Sequence, residues 1–194
     1  MTHLHRNRLA VFAITAIWAW TAMALAHELG HVLAGLVGGG KLLYLELRPW
    51  HLPDSQFVGD PFPWVTVWAG PVLGSLVPLG VACFVRRPVT WFIAWFCLLA
   101  NGLYLLLGFL SGGPELDTNK LIRAGSSTAV LAIIALSATA FGYWKLRGVC
   151  HVMWRPEPTL ESGAASRKTP CWIIAGVAWG IVNALLAFAR WPTT

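Results

Sequence analysis

Long apolar runs separated by short polar connections organise the chain. Residues 9–37, 65–85, 89–110, 126–144 and 171–189 are each apolar over about 20 positions, the length that carries a helix across a bilayer. Trp64, Trp68, Trp91, Trp144, Trp172 and Trp191 fall near the ends of these runs, where an interfacial aromatic belt is expected. After the first run the pattern changes. "KLLYLELR" sets Leu43, Leu45 and Leu47 against Tyr44, Glu46 and Arg48, a period of two that predicts a short strand over 42–47, ended by Pro49 and Pro53. Residues 145–170 form a linker between the fourth and fifth runs, and from Arg155 it is rich in Pro, Ser and charge. The fold expected is an all-α polytopic membrane protein with about five transmembrane helices and a short β element after the first.

Composition agrees: 57% of residues are hydrophobic and 11% charged, against about 25% charged in soluble domains. The net charge of +6 lies in the connections and calls for no nucleic-acid partner. Nine basic residues (Arg6, Arg8, Arg86, Arg87, Lys145, Arg147, Arg155, Arg167, Lys168) fall on one side. Five (Lys41, Arg48, Lys120, Arg123, Arg190) fall on the other. The positive-inside rule then predicts an integral multi-pass protein of the cell membrane with its N-terminus in the cytoplasm. Ala24-Leu25-Ala26, after Arg6 and Arg8, has the look of a signal-peptidase site, but the apolar run continues past it, so an uncleaved span is expected. Cys83, Cys97, Cys150 and Cys171 form no C-x-x-C pair, and apolar filler is their expected role.

One charged cluster interrupts the first run. His27-Glu28-Leu29-Gly30-His31 places three titratable side chains within the span, where ionisable groups are costly and therefore functional suspects. Residues four apart on a helix lie about 40° and one turn apart, so both imidazoles point the same way and can share one metal. Zinc takes such nitrogens at about 2.0–2.1 Å and leaves room for a third ligand and a water. Glu28, about 100° round from His27, is placed to handle that water without binding the metal. Zinc would lower the water's pKa and polarise a peptide carbonyl while Glu28 takes and returns protons as general base.

A third protein ligand is needed, and acids are few. Glu46, Asp54 and Asp60 lie in the first connection, and Glu157 and Glu161 in the linker. "SGGPELDTNKL", directly after the third run, carries Glu115 and Asp117 behind the helix breakers Gly112, Gly113 and Pro114. A broken segment can sit at membrane depth where protein surrounds it. Both acids are candidates.

These motifs together resemble the site-2 protease family of intramembrane zinc metalloproteases (peptidase family M50), especially its compact members. That family pairs H-E-x-x-H on one span with an aspartate two spans later. Pro114-Glu115-Leu116-Asp117 is similar to its P-x-L-D, and the resemblance implies Asp117 as the third zinc ligand. Trp68-Ala69-Gly70-Pro71 resembles the A-G-P that opens the family's next span, and "GGG" with the following strand resembles its edge element. The similarity covers residues 9–123, a three-helix metalloprotease core. Residues 124–194, two further spans with the linker at 145–170, fall outside it. Thr118 stands where the family usually has Gly, Gly74 where it often has Asn, and Phe109 where an Asn normally precedes P-x-L-D. Asn101 is the substitute candidate for positioning substrate, an interhelical hydrogen bond being its other reading. Bacterial members place zinc toward the cytoplasm with an external N-terminus, opposite to the orientation that the charges predict.

The resemblance implies an endopeptidase that uses zinc to cut membrane proteins or transmembrane peptides in or near their membrane-spanning segments, inside the lipid bilayer. The strand at 42–47 would hold the unwound stretch of substrate. The alternative is a metal-binding, non-proteolytic membrane scaffold or chaperone, which would have no need of Glu28 as a base.

Overall fold

A computed structural model describes residues 3–48, 51 and 53–154. Its elements are α1 (His3–Val37), β1 (Lys41–Glu46), β2 (Asp54–Val58), α2 (Pro63–Val85), α3 (Pro88–Ser111), α4 (Asp117–Arg123) and α5 (Thr128–Trp154). Among the described residues four helices, α1, α2, α3 and α5, are long and apolar enough to cross a membrane. The fifth expected span at 171–189 and the Pro- and Ser-rich stretch from Arg155 lie outside the described residues. α1 runs unbroken through Ala24 and Leu25, both buried. α2 begins on a proline, whose missing N–H costs nothing in the first turn. It ends at Arg86 in the left-handed conformation, and Pro88 starts α3 at once, so α2 and α3 are antiparallel neighbours.

Small residues set how closely the helices meet. A Cβ on Gly30 of α1 would strike the Ala69 carbonyl of α2, and one on Gly70 would strike the His31 ring. A Cβ on Gly74 would crowd both the Asn101 amide of α3 and the His27 backbone. In lipid, where apolar side chains gain little by leaving the solvent, backbone approach through small residues is a main source of helix packing. α5 is joined to α3 in the same manner: Gly102 faces Thr139, and Gly142 faces Leu99. Leu105, Leu121, Leu131 and Ala135 form one buried cluster shared by α3, α4 and α5. The fourth span is therefore packed into the helices that carry the site.

That span is also longer than expected. α5 continues through Trp154, ten residues past the sequence-based end at Trp144, so residues 145–154 are helix and not linker. No proline interrupts the chain until Pro156. Lys145 does not end the helix, because its ammonium lies 4.6 Å from the Trp144 ring centroid and 5.5 Å from that of Phe141. A lysine stem can follow an apolar surface while its charge meets aromatic faces.

The expected single strand is half of a hairpin. β1 pairs antiparallel with β2, from Lys41 opposite Val58 to Glu46 opposite Asp54. An irregularity between Leu42 and Tyr44 leaves Leu43 without a partner and exposed, so the even alternation read from the sequence fails there. Glu46, expected on the polar face, is buried. Arg48 makes this tolerable: its Nε donates to both Glu46 carboxylate oxygens at 2.8 and 2.9 Å, and its backbone N–H donates at 2.9 Å. The Phe57 ring of β2 lies against Gly35 of α1, which seats the hairpin over the end of that helix.

Candidate metal centre

His27, Glu28 and His31 project from the C-terminal third of α1 and are all buried, at 5, 2 and 6% exposure. Their ligand-type atoms lie within 4.8 Å of one another, a grouping that could hold a metal ion. Each imidazole is held from behind. His31 Nδ1 donates to the Thr66 carbonyl of α2 at 2.7 Å, a contact that the Gly30 and Gly70 crossing brings into range. His27 Nδ1 lies 2.6 Å from Asn101 Oδ1 of α3. The amide orientation is fixed by the other end of Asn101, whose Nδ2 donates to the Cys97 carbonyl at 2.8 Å. Both Nδ1 atoms therefore carry the proton, and both Nε2 lone pairs face forward. The Tyr104 ring stands edge-on to His27 at 5.4 Å between centroids and walls that side.

Both Nε2 atoms face one carboxylate oxygen. Asp117 Oδ2 lies 2.9 Å from His27 Nε2 and 3.4 Å from His31 Nε2. α3 ends where Gly112 takes a left-handed φ of 63°, which turns the chain back toward the bundle. α4 then starts on Asp117, and two side chains bolt it down. Thr118 Oγ1 donates to the Leu105 carbonyl at 2.7 Å, and Asn119 Nδ2 donates to the Gly108 and Gly113 carbonyls at 3.1 and 2.7 Å. Thr118, a departure from the family pattern, is fully buried against Gly108. Of the two acids left open by the sequence, the fold brings Asp117 to the histidines. Glu115 is exposed at the rim of the cleft.

The donor set suits a divalent cation. Two nitrogen lone pairs and a carboxylate oxygen converging without a hydrogen between them repel each other unless a positive charge joins them. A proton on one imidazole satisfies a single contact, whereas one cation satisfies all three. Ligands about 2.0–2.2 Å from a tetrahedral zinc stand about 3.3–3.6 Å from each other; the 3.4 Å His31–Asp117 separation matches this and the 2.9 Å His27–Asp117 separation is somewhat shorter. Glu28 Oε2 is buried and has no hydrogen-bond partner among the described residues, so it remains available beside the three donors.

No family model matches the chain, and neither a curated protein nor a solved structure matches it. The family resemblance thus rests on the motifs in this sequence and on the geometry that joins them.

A cleft of about 310 Å³ opens onto Glu28, His31 and Asp117 between β2, α2 and α4. Several of its residues were not singled out by sequence. Asp54 and Asp60, set aside as loop acids, line it, as do Ser55, Thr66, Tyr104 and Lys120. Lys120 Nζ reaches Asp54 Oδ1 at 3.3 Å and ties α4 to β2. Tyr104 had a legible signal, since it follows Asn101 by three residues and shares its helix face. Ser55 and Thr66 had none, because their placement depends on the hairpin and on the α1–α2 crossing. Asn101, the candidate for substrate positioning, is 2% exposed and has both ends of its amide engaged, so it orients His27 in this geometry. Gly74 stands where the family often has Asn, and the Asn101 amide fills the adjacent space from another helix.

Proposed function

We propose that this protein is an intramembrane zinc metalloprotease that hydrolyses peptide bonds in or near the transmembrane segments of membrane proteins. One observation carries the reading: the buried, unpartnered carboxylate oxygen of Glu28 stands beside His27, His31 and Asp117, whose donor atoms converge. His27 and His31 would hold zinc through Nε2, and Asp117 through Oδ2. Zinc bound there supplies Lewis acidity, lowering the pKa of water and polarising a substrate carbonyl.

The chain's own residues do the rest. Asn101 and the Thr66 carbonyl keep both Nδ1 protons engaged, so neither imidazole can rotate its Nε2 away. Glu28 takes a proton from the attacking water and returns it to the departing amine, and its unpartnered Oε2 is free for both transfers. A helical substrate has to unwind first, because its own hydrogen bonds cover the scissile carbonyl. Pro53, Asp54, Ser55, Gln56 and Phe57 all line the cleft in succession. Side chains alternate along a strand, so five successive lining residues mean that the free edge of β2 borders the cleft. An extended stretch of substrate would add to that edge by backbone pairing. The sequence had pointed to β1 for this role.

The competing reading, a metal-binding scaffold or chaperone, gives a buried, unpaired glutamate nothing to do. Glu28→Gln separates the two. A protease variant should keep about one zinc per chain and its fold, lose hydrolysis by about 10²–10⁴-fold, and retain uncut membrane proteins on pull-down. Equal processing of membrane proteins in cells carrying wild type or variant would overturn the enzyme reading.

A further inference from the structure

Three buried side-chain oxygens lack a hydrogen-bond partner among the described residues: Glu28 Oε2, Ser55 Oγ and Thr66 Oγ1. All three belong to residues that line the one cleft. Buried polar atoms left unpaired are rare and call for a specific occupant. Three in a single cavity wall call for a polar one.

Thr66 differs from the other hydroxyls of these helices. Thr15, Thr21, Ser75 and Thr139 each donate to the carbonyl four residues back, at 2.7–2.9 Å. For Thr66 that carbonyl belongs to Phe62, and it already accepts the backbone N–H groups of Val65 at 2.9 Å and Thr66 at 3.2 Å. The Thr66 hydroxyl is thus unspent, on a residue whose own carbonyl holds His31. Ser55, on β2, lines the same cleft. One hydroxyl on the helical wall and one on the strand wall therefore border the cleft onto which Glu28 opens.

We infer that Thr66 and Ser55 are the substrate-binding hydroxyls of the cleft, donating hydrogen bonds to backbone carbonyls of an extended peptide lying between α2 and β2. The inference rests on the protease reading and names its substrate contacts. Backbone carbonyls are the fitting acceptors, since every peptide carries them whatever its side chains, and unwinding the substrate helix leaves them in need of donors. Thr66, attached to the residue that orients His31, serves the carbonyl nearest the metal ligands. Ser55 serves the next along the β2 edge. Neither hydroxyl holds His27, His31 or Asp117, so their removal should leave the metal site intact.

The test uses the full-length, zinc-loaded protein in detergent micelles and two probes, a trileucine hydroxamate and acetohydroxamate. Thr66→Val and Ser55→Ala should each weaken the tripeptide probe about tenfold, the worth of one well-placed hydrogen bond. Acetohydroxamate affinity and zinc content should not change. Thr66→Ser, which keeps the oxygen, should bind the tripeptide probe within about twofold of wild type. Wild-type affinity for the tripeptide probe in both Thr66→Val and Ser55→Ala would overturn the inference. So would equal losses for both probes, which would mark a structural role. The protease reading fails by a different result: wild-type protein that binds the tripeptide probe no better than acetohydroxamate has no peptide site.

Discussion

At the crossing of α1, α2 and α3, contact is made by residues with almost no side chain. Gly30 meets Ala69, Gly70 meets the His31 ring, and Gly74 leaves room for Asn101. The β1–β2 hairpin, only a few residues on from α1, is held differently. Phe57 rests on Gly35, Lys120 pairs with Asp54 across the cleft, and Glu46 is neutralised by Arg48. At the crossing a glycine has no easy substitute, because the atom an added Cβ would meet is backbone or the buried His31 ring. The hairpin is tied by ion pairs and one ring, contacts that can lengthen and re-form. Close backbone packing thus lies around the converging donors, and ion pairs hold the wall of the cleft.

The sharpest way to break this contrast is to add one methyl group on each side of it. Gly70→Ala drives a Cβ into the His31 imidazole. Overpacking of this kind costs roughly 1–3 kcal/mol and should also displace Nε2, so zinc content should fall steeply along with thermal stability. Gly80→Ala, on the same helix with nothing within 4 Å of the added atom, is the matched control. It should be neutral or slightly stabilising, because alanine is the better helix former. Equal effects of the two changes, measured as melting temperature and bound zinc, would remove the crossing's special status.

A smaller loss is expected one layer behind the ligands. Asn101→Ala leaves both imidazoles present but releases the Nδ1 of His27. Loss of such an orienting partner typically weakens metal affinity by about 10–100-fold. Competition with a calibrated zinc chelator measures this directly. Unchanged affinity would mean that Cys97 and Asn101 serve only helix packing.

Much of the crossing was legible in the sequence, and of the hairpin its first strand was. H-E-x-x-H is a local pattern: helical geometry alone puts His27 and His31 on one face, and Gly112-Gly113-Pro114 announces the break before Asp117. Charge density and length marked the spans for the same local reason. The P-x-L-D resemblance pointed to Asp117 over Glu115, but the contacts that place it, Thr118 and Asn119 reaching back to α3, are ones no spacing rule encodes. The orienting partners of the histidines, Asn101 and the Thr66 carbonyl, come from two other helices and appear only once those helices cross. β2 stayed hidden because "DSQFV" is short and mostly polar, and its pairing is set by register with β1. Glu46 misled because an alternating pattern assigns it to solvent, while Arg48, two residues on, supplies the charge that lets it be buried.

The mildest expected effect sits in that last pair. The Arg48 guanidinium hydrogen-bonded to Glu46 holds its carboxyl down at about 2, below the ordinary 4.5. A carboxyl whose folded pKa is depressed stabilises the fold fully above its unfolded value, and the contribution is lost as pH falls from about 4.5 through about 2. Arg48 is 39% exposed, so solvent screens the pair and its contribution is small. The hairpin should accordingly loosen at acid pH while α2 and α3 stay packed. Amide hydrogen exchange over 41–46 and 54–58, taken in a zinc-free preparation so that metal release does not intervene, should speed up a few-fold between pH 5 and pH 3 after correction for intrinsic rates. In Glu46→Gln the same amides should already exchange faster at pH 5 and show no further change. If the wild type shows no acid response at those amides, the Glu46–Arg48 pair does not hold the hairpin, and Phe57 against Gly35 and the Lys120–Asp54 pair are left to do so.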